Sequence, residues 1–249
     1  KTGINSKYGK NLIGSFYQPK LVISDTQFLK TLSSREIICG YGEILKHSII
    51  GSRRFYNFLN KNYTKIFNLS SPYIEKAIYE SCKIKKIVVE KDEKEKDLRK
   101  ILNFGHTFAH AYEATLGFNK RLNHGEAVII GMKTALSFSL ESSLLKKEDY
   151  ISIVNHINSS NLPSSINKFL NFKDINKILS FMTKDKKNIS NKINLVLLRE
   201  IGKPIINKEY SKKNLILFLK NYLQNWNLYW VDKVFQFFTY SFIDFFVTF

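Results

Sequence analysis

The sequence predicts a mainly helical chain opened by a short β piece, and three observations carry that reading. Nearly every segment after Thr31 has helical spacing or helix start and stop signals. Strand-like alternation is confined to NLIGSFY and PKLVISD near the start and to INLVLL at 193–198. No G-x-G-x-x-G turn is present, nor a run of alternating strands and helices ahead of the histidine-rich centre.

Each element has a local reason. NLIGSFY and PKLVISD, the latter bounded by Pro19 and Asp25, read as two short strands of a hairpin-like piece. Ser34-Arg-Glu opens a helix that carries Glu43 among Ile44, Leu45, Ile49 and Ile50. Ser71-Pro72 caps a helix from Tyr73 to Val89, with proline suited to the first turn. The charged stretch 91–97 reads as a solvated connector. Lys147-Glu148-Asp149 begins a later helix that Leu162-Pro163 breaks, and INLVLL is followed by a Gly-Lys-Pro turn.

The most informative stretch is 103–132, NFGHTFAHAYEATLGFNKRLNHGEAVIIGM, which holds three of the five histidines. His106 and His110 lie four apart, which on a helix stacks both rings on one face about 6 Å apart. His124 follows a turn containing Gly and Asn and precedes an apolar run, so it starts a second helix that folds back on the first. Three imidazoles gathered in this way point to a divalent metal. A catalytic site takes three nitrogen or oxygen ligands and keeps one position open, and Glu43 is the best remote carboxylate to complete the set. No cysteine lies near the cluster, which argues against a structural Cys-rich zinc site.

The chain resembles the 3-dehydroquinate synthases in KTGINSKYGKNLIGSFYQPK (1–20), GYGEILKH (40–47), KKIVVEKDEKEKDLRKILNFGHTFAHAYE (85–113) and LNHGEAVIIGM (122–132). The likeness runs in family order to about Leu219. Ala109 departs from the family's usual Gly, and Gly42 from its usual Ala.

The resemblance implies a helical metal-binding domain and assigns roles by position. Glu43, His106 and His124 match Zn2+ (or Co2+) ligands. His110 matches a residue near the leaving phosphate. Lys46, Lys85, Arg99 and Asn103 match substrate-binding positions, with Glu95 a further acid of the pattern. Asn11 and one of Lys186 and Lys187, with Lys187 preferred, match phosphate contacts. Lys1, Lys10, Phe28, Leu29, Lys30 and Thr31 match places that touch NAD.

The implied substrate is a seven-carbon sugar-acid phosphate. The implied reaction is NAD-dependent oxidation, phosphate elimination, reduction and aldol closure to 3-dehydroquinate in the shikimate pathway. The implied setting is cytoplasmic and the complete protein a homodimer. On the same resemblance, 1–30 is the remnant of a dinucleotide-binding α/β domain, 31–225 the metal- and substrate-binding domain, and 226–249 a non-family aromatic tail. The sequence thus reads as a fragment, expected neither to complete the reaction nor to bind NAD below millimolar concentration by itself. Two alternatives stay open: another sugar-phosphate cyclase or metal-dependent polyol dehydrogenase of the superfamily, and a non-catalytic helical fragment.

Composition sets outer bounds. With 249 residues and 44% hydrophobic content the chain can bury a real core. Its 39 Lys and Arg against 21 Asp and Glu give a net charge of +18, but the lysines are scattered and no nucleic-acid module motif accompanies them. Cys39 and Cys82 form no redox or metal motif. In the tail the longest uncharged run, 234–243, is half the roughly 20 residues a bilayer needs. That tail reads as drifted sequence rather than a membrane span, with a membrane-surface helix as the other reading.

Overall fold

The computed structural model describes residues 4–6, 9–14, 20–119, 121–184 and 192–224. The chain forms two units, Lys1–Thr31 and Leu32–Phe249, each taken by itself. Lys1, Lys186, Lys187 and the tail from 226 lie outside the described residues, as do the side chains of Lys10 and Asn11.

In the first unit β1 (Ile4–Ser6) and β2 (Gly9–Ile13) pair antiparallel, with Ile4 opposite Ile13 and Ser6 opposite Gly9. The hairpin therefore lies one segment earlier than NLIGSFY and PKLVISD predict. Residues 21–25 join no ladder, and Leu21, Val22 and Ile23 are exposed. Alternation makes a strand only where a neighbour takes its hydrogen bonds, and no described segment pairs with 21–25. A 3-10 helix, Thr26–Thr31, carries Phe28, Lys30 and Thr31 exposed and Leu29 half-buried.

The second unit is mainly α. It contains α1 (Ser34–Gly51), α2 (Arg53–Phe67), α3 (Tyr73–Lys91), α4 (His106–Thr115), α5 (His124–Glu141), α6 (Lys147–Ser159), α7 (Ile175–Lys184) and α8 (Lys212–Gln224). Among the described residues of this unit a single antiparallel pair, β3 (Lys192–Glu200) with β4 (Lys203–Ser211), contains the expected strand at 193–198 and turns at Gly202. No helix among the described residues is long and apolar enough to cross a membrane.

Helix α1 opens at Ser34 as expected, capped by Ser33: its side chain accepts from the Glu36 N–H, and the Glu36 carboxylate accepts from the Ser33 N–H. Two local expectations shift. Ahead of α3 the N-cap position is Pro72, and no side-chain cap bond forms. The 91–97 connector is built rather than merely solvated, because the Asp92 carboxylate accepts the N–H groups of Lys96, Asp97 and Arg99. That loop feeds a 3-10 helix, Leu98–Asn103.

Helix α5 is the axis of the unit. Every residue from Ala127 to Leu136 is buried, as expected of a helix apolar on all sides. Its neighbours approach so closely that little fits between them. A Cβ on Gly131 would lie 2.3 Å from the Gly105 carbonyl oxygen and 2.9 Å from the Ala109 nitrogen. A Cβ on Gly125 would lie 2.3 Å from Cys39 Cβ, and one on Gly42 2.7 Å from Ile129 Cγ1. The Gly42 departure thus sits at the α1–α5 contact and Ala109 at the α4–α5 contact. We expect Gly131→Ala to cost about 1–3 kcal/mol, since two of the obstructing atoms are backbone. Gly40→Ala, with nothing within 4 Å of the added carbon, should be neutral or slightly stabilising. Urea unfolding compares the two, and equal midpoints would refute the close-packing account.

Candidate metal and substrate site

Four elements converge on one cleft. α1 presents Glu43, Lys46 and His47; α3 presents Lys85; the 3-10 helix Leu98–Asn103 presents Arg99, Leu102 and Asn103; and α4 presents His106 from its first turn. The Asp92 loop adds Glu95, and the cleft measures about 240 Å³. Gly105 makes the junction possible. It turns the chain from 3-10 helix into α4 at φ +79, against the Met132 backbone, where only glycine is unstrained and unobstructed.

His110 and His124 do not line this cleft but stand beside it. The ring centroids of His106 and His110 are 5.5 Å apart, those of His106 and His124 5.6 Å, and those of His110 and His124 5.8 Å. The helical hairpin predicted from spacing therefore gathers all three imidazoles.

The charges in the cleft are arranged around Glu43. Lys46 is 3% exposed, and its Nζ donates to Glu43 Oε2 at 2.8 Å. Burial works against the Glu43 anion, but the charge and hydrogen bond of Lys46 outweigh it and hold the carboxyl below its usual range. Burial lowers the Lys46 ammonium in turn. The other carboxylate oxygen, Oε1, is buried without a hydrogen-bond partner and lies 3.8 Å from His106 Nε2. His106 Nδ1 is 3.3 Å from the Phe104 carbonyl, so the ring donates there and turns an Nε2 lone pair toward Glu43. Burial, then the Lys46 charge, pushes His106 down to about 3, so it is neutral at neutral pH.

A carboxylate oxygen and an imidazole lone pair 3.8 Å apart, with no proton between them, suit a shared cation. Metal–ligand distances of about 2.0–2.2 Å span that gap. His110, Glu113 and His124 also bring three donor atoms within 4.8 Å of one another.

The rim is polar and braced. Asn103 Nδ2 donates to Glu95 Oε1 at 3.0 Å, and Arg99 Nη1 donates to the Glu93 carbonyl at 2.7 Å. Lys85 is exposed at the edge. Two features at or near the cleft walls escaped the sequence reading, one lining the cleft and one behind it. His47, buried with Nδ1 2.7 Å from Ser81 Oγ, is pushed by burial and then by Lys46 to about 4. Its only sequence signal is its place directly after Lys46. The second is a brace: Arg35 grips the Glu126 carboxylate with bonds of 2.7 and 2.6 Å. It ties the start of α1, which bears Glu43, to the start of α5, which bears His124. Glu126 also closes the capping box with Asn123.

The model of the 3-dehydroquinate synthase C-terminal domain matches residues 40–188, and that of the N-terminal domain matches residues 1–39. The chain belongs to the 3-dehydroquinate synthase family. It is 60% identical over 223 residues to the 3-dehydroquinate synthase of Pelagibacter ubique, covering 90% of this chain and 61% of that one. It is 40% identical over 228 residues to that of Bradyrhizobium diazoefficiens, covering 90% of this chain and 59% of the relative. The chain thus spans about three fifths of the length of these 3-dehydroquinate synthases.

Solved structures agree on the fold. A 2-epi-5-epi-valiolone synthase from Streptomyces hygroscopicus with NAD+ and Zn2+ bound superposes with a TM-score of 0.76 at 20% identity, over 88% of this chain and 59% of that one. A 2-deoxy-scyllo-inosose synthase complexed with carbaglucose-6-phosphate, NAD+ and Co2+ gives a TM-score of 0.73 at 24% identity, over 90% and 61%.

Proposed function

We propose that this chain supplies the metal- and substrate-binding part of a 3-dehydroquinate synthase. That lyase converts 3-deoxy-D-arabino-heptulosonate 7-phosphate to 3-dehydroquinate and phosphate in the shikimate pathway, in the cytoplasm. The observation that carries the reading is the partnerless Glu43 Oε1, buried and facing His106 Nε2 at 3.8 Å in a cleft ringed by Lys46, Lys85 and Arg99. An acid and a neutral imidazole hold a cation, and fixed positive charges hold an anionic substrate beside it.

Glu43, His106 and His124 would hold Zn2+ or Co2+. Such an ion, when bound, lowers the pKa of a substrate hydroxyl and so favours its oxidation by NAD. The chain's own residues supply the rest. Lys46, Lys85 and Arg99 are the donors for substrate carboxylate and phosphate. Asn103, braced by Glu95, offers an amide to a ring hydroxyl. His110, outside the ligand set, exchanges a proton at the leaving phosphate, with Asn11 and Lys187 (or Lys186) as further phosphate contacts. Lys1, Lys10 and Phe28 through Thr31 are assigned to NAD, and the complete assembly to a homodimer, on the family resemblance.

A polyol dehydrogenase of the same superfamily fits less well, because a neutral polyol has no use for three cations around the cleft. Another sugar-phosphate cyclase would share them, and substrate turnover separates the two. Elemental analysis after mild dialysis against Zn2+-containing buffer tests the ligand set. We expect about one equivalent in the wild type and in His110→Ala, and far less in Glu43→Gln and His124→Ala. Metal lost from His110→Ala but kept in His124→Ala would overturn the assignment.

A further inference from the structure

His124 is half exposed at the first position of α5, where a side chain is free to turn, yet a ligand ring must hold one nitrogen toward the ion. Its Nδ1 lies 3.0 Å from Glu113 Oε2, and Glu113 is only 4% exposed. Glu113 reaches this place because α4 carries His106, His110 and Glu113 at positions i, i+4 and i+7, one stripe along the face that meets the start of α5. A buried carboxylate accepts hydrogen bonds; it therefore selects the His124 tautomer with the proton on Nδ1 and leaves the lone pair on Nε2. His106 is fixed in the same sense by the Phe104 carbonyl. Both rings of the hairpin thus have Nδ1 engaged by an acceptor and Nε2 to offer.

We propose that Glu113 is the positioning residue for His124, setting its tautomer and ring direction so that Nε2 is presented to the metal. The role rests on the assignment of His124 as a ligand. It makes Glu113 a partner of the ligand rather than a ligand itself, even though its donor atom lies within 4.8 Å of those of His110 and His124. The 3.0 Å separation is a hydrogen-bond distance, and the bond occupies His124 Nδ1 and leaves Nε2 as the nitrogen for the ion. The carboxylate also makes the imidazole more electron-rich, which strengthens its bond to a divalent cation.

The test uses the full 249-residue chain and Co2+ as the probe, read by titration calorimetry and by the visible ligand-field spectrum. Glu113→Gln and Glu113→Asp are compared with His124→Ala, His106→Ala and His110→Ala. Urea unfolding of each metal-free variant confirms that it is folded, and Glu113→Asp carries the test if the amide disturbs the core. Glu113→Gln should weaken Co2+ roughly 10- to 100-fold and shift the ligand-field bands. Glu113→Asp should show a smaller loss of affinity with a shift of its own, and His124→Ala should lose nearly all binding. Wild-type affinity and bands in both Glu113 variants, with binding lost in His124→Ala, would overturn the positioning role while leaving the ligand set intact. Co2+ retained in His124→Ala with unchanged bands would instead overturn the ligand reading beneath it. Loss in Glu113→Gln and His110→Ala as complete as in His124→Ala, with His106→Ala unaffected, would make Glu113 a ligand and overturn both.

Discussion

His110→Ala should lower turnover roughly 10²- to 10⁴-fold while leaving the metal content unchanged. His110 stands one helical turn after His106 on the same face of α4, with ring centroids 5.5 Å apart. It is exposed, while His106 is largely buried against Glu43 and Lys46. A ring so placed has access to a substrate without entering the Glu43–His106 pair. Loss of proton exchange at the leaving group acts on the chemical step, so kcat should fall far more than KM rises. The measurement is phosphate release in a protein extended to the full length of its relatives, with metal content determined on the same samples. Full activity would return His110 to an ordinary surface histidine. Metal loss would make it a ligand.

The metal-free protein should lose stability steeply as pH falls from 6.5 toward 4. His47 and His156 are both buried. Burial, joined at His47 by the Lys46 charge, pushes each down to about 4. His156 is held neutral between Tyr41, whose hydroxyl is 2.8 Å from Nε2, and Asn60, whose Oδ1 is 2.9 Å from Nδ1. A base whose pKa is lower in the folded state binds its proton first in the unfolded state. Stability is therefore complete above the unfolded value near 6.5 and drains away as pH falls to the folded value near 4. Each histidine accounts for about 3 kcal/mol across that window, at about 1.4 kcal/mol per pH unit. Urea unfolding at a series of pH values should show the slope, and His156→Gln should flatten it by about a third, because His106 is pushed down in the same sense as His47 and His156. An unchanged slope in that variant would mean His156 is already protonated or solvated in the folded state.

Local physics made much of this chain legible in its sequence. Helical spacing, Pro163 and the Gly-Lys-Pro turn announced a mainly α unit with a strand at 193–198. The four-residue interval between His106 and His110, and the Asn-His start of α5, announced a hairpin that gathers three imidazoles. These features depend on neighbours within a few residues, which the sequence lists directly. The resemblance to 3-dehydroquinate synthases added Lys46, Lys85, Arg99 and Asn103, and the structure brings all four to one cleft with Glu43 and His106.

Only the tertiary structure decided what distant segments do to one another. Alternation in 21–25 looked like a strand, but a strand needs a partner and no described segment pairs with it. Folding buries Lys46 against Glu43 at the wall of the cleft, a pairing that its place in the sequence did not show. The Arg35–Glu126 brace joins residues 91 apart, the His156 bonds join residues up to 115 apart, and Glu113 meets His124 across a turn of the chain. Such partnerships are set by close packing around α5, where Gly42, Gly125 and Gly131 let α1 and α4 approach. The sequence alone determined which residue types were available and on which helix face they lie. Which ones meet, and which carboxylate oxygen is left buried without a partner, was decided by helix packing, because burial and distance are properties of the assembled core.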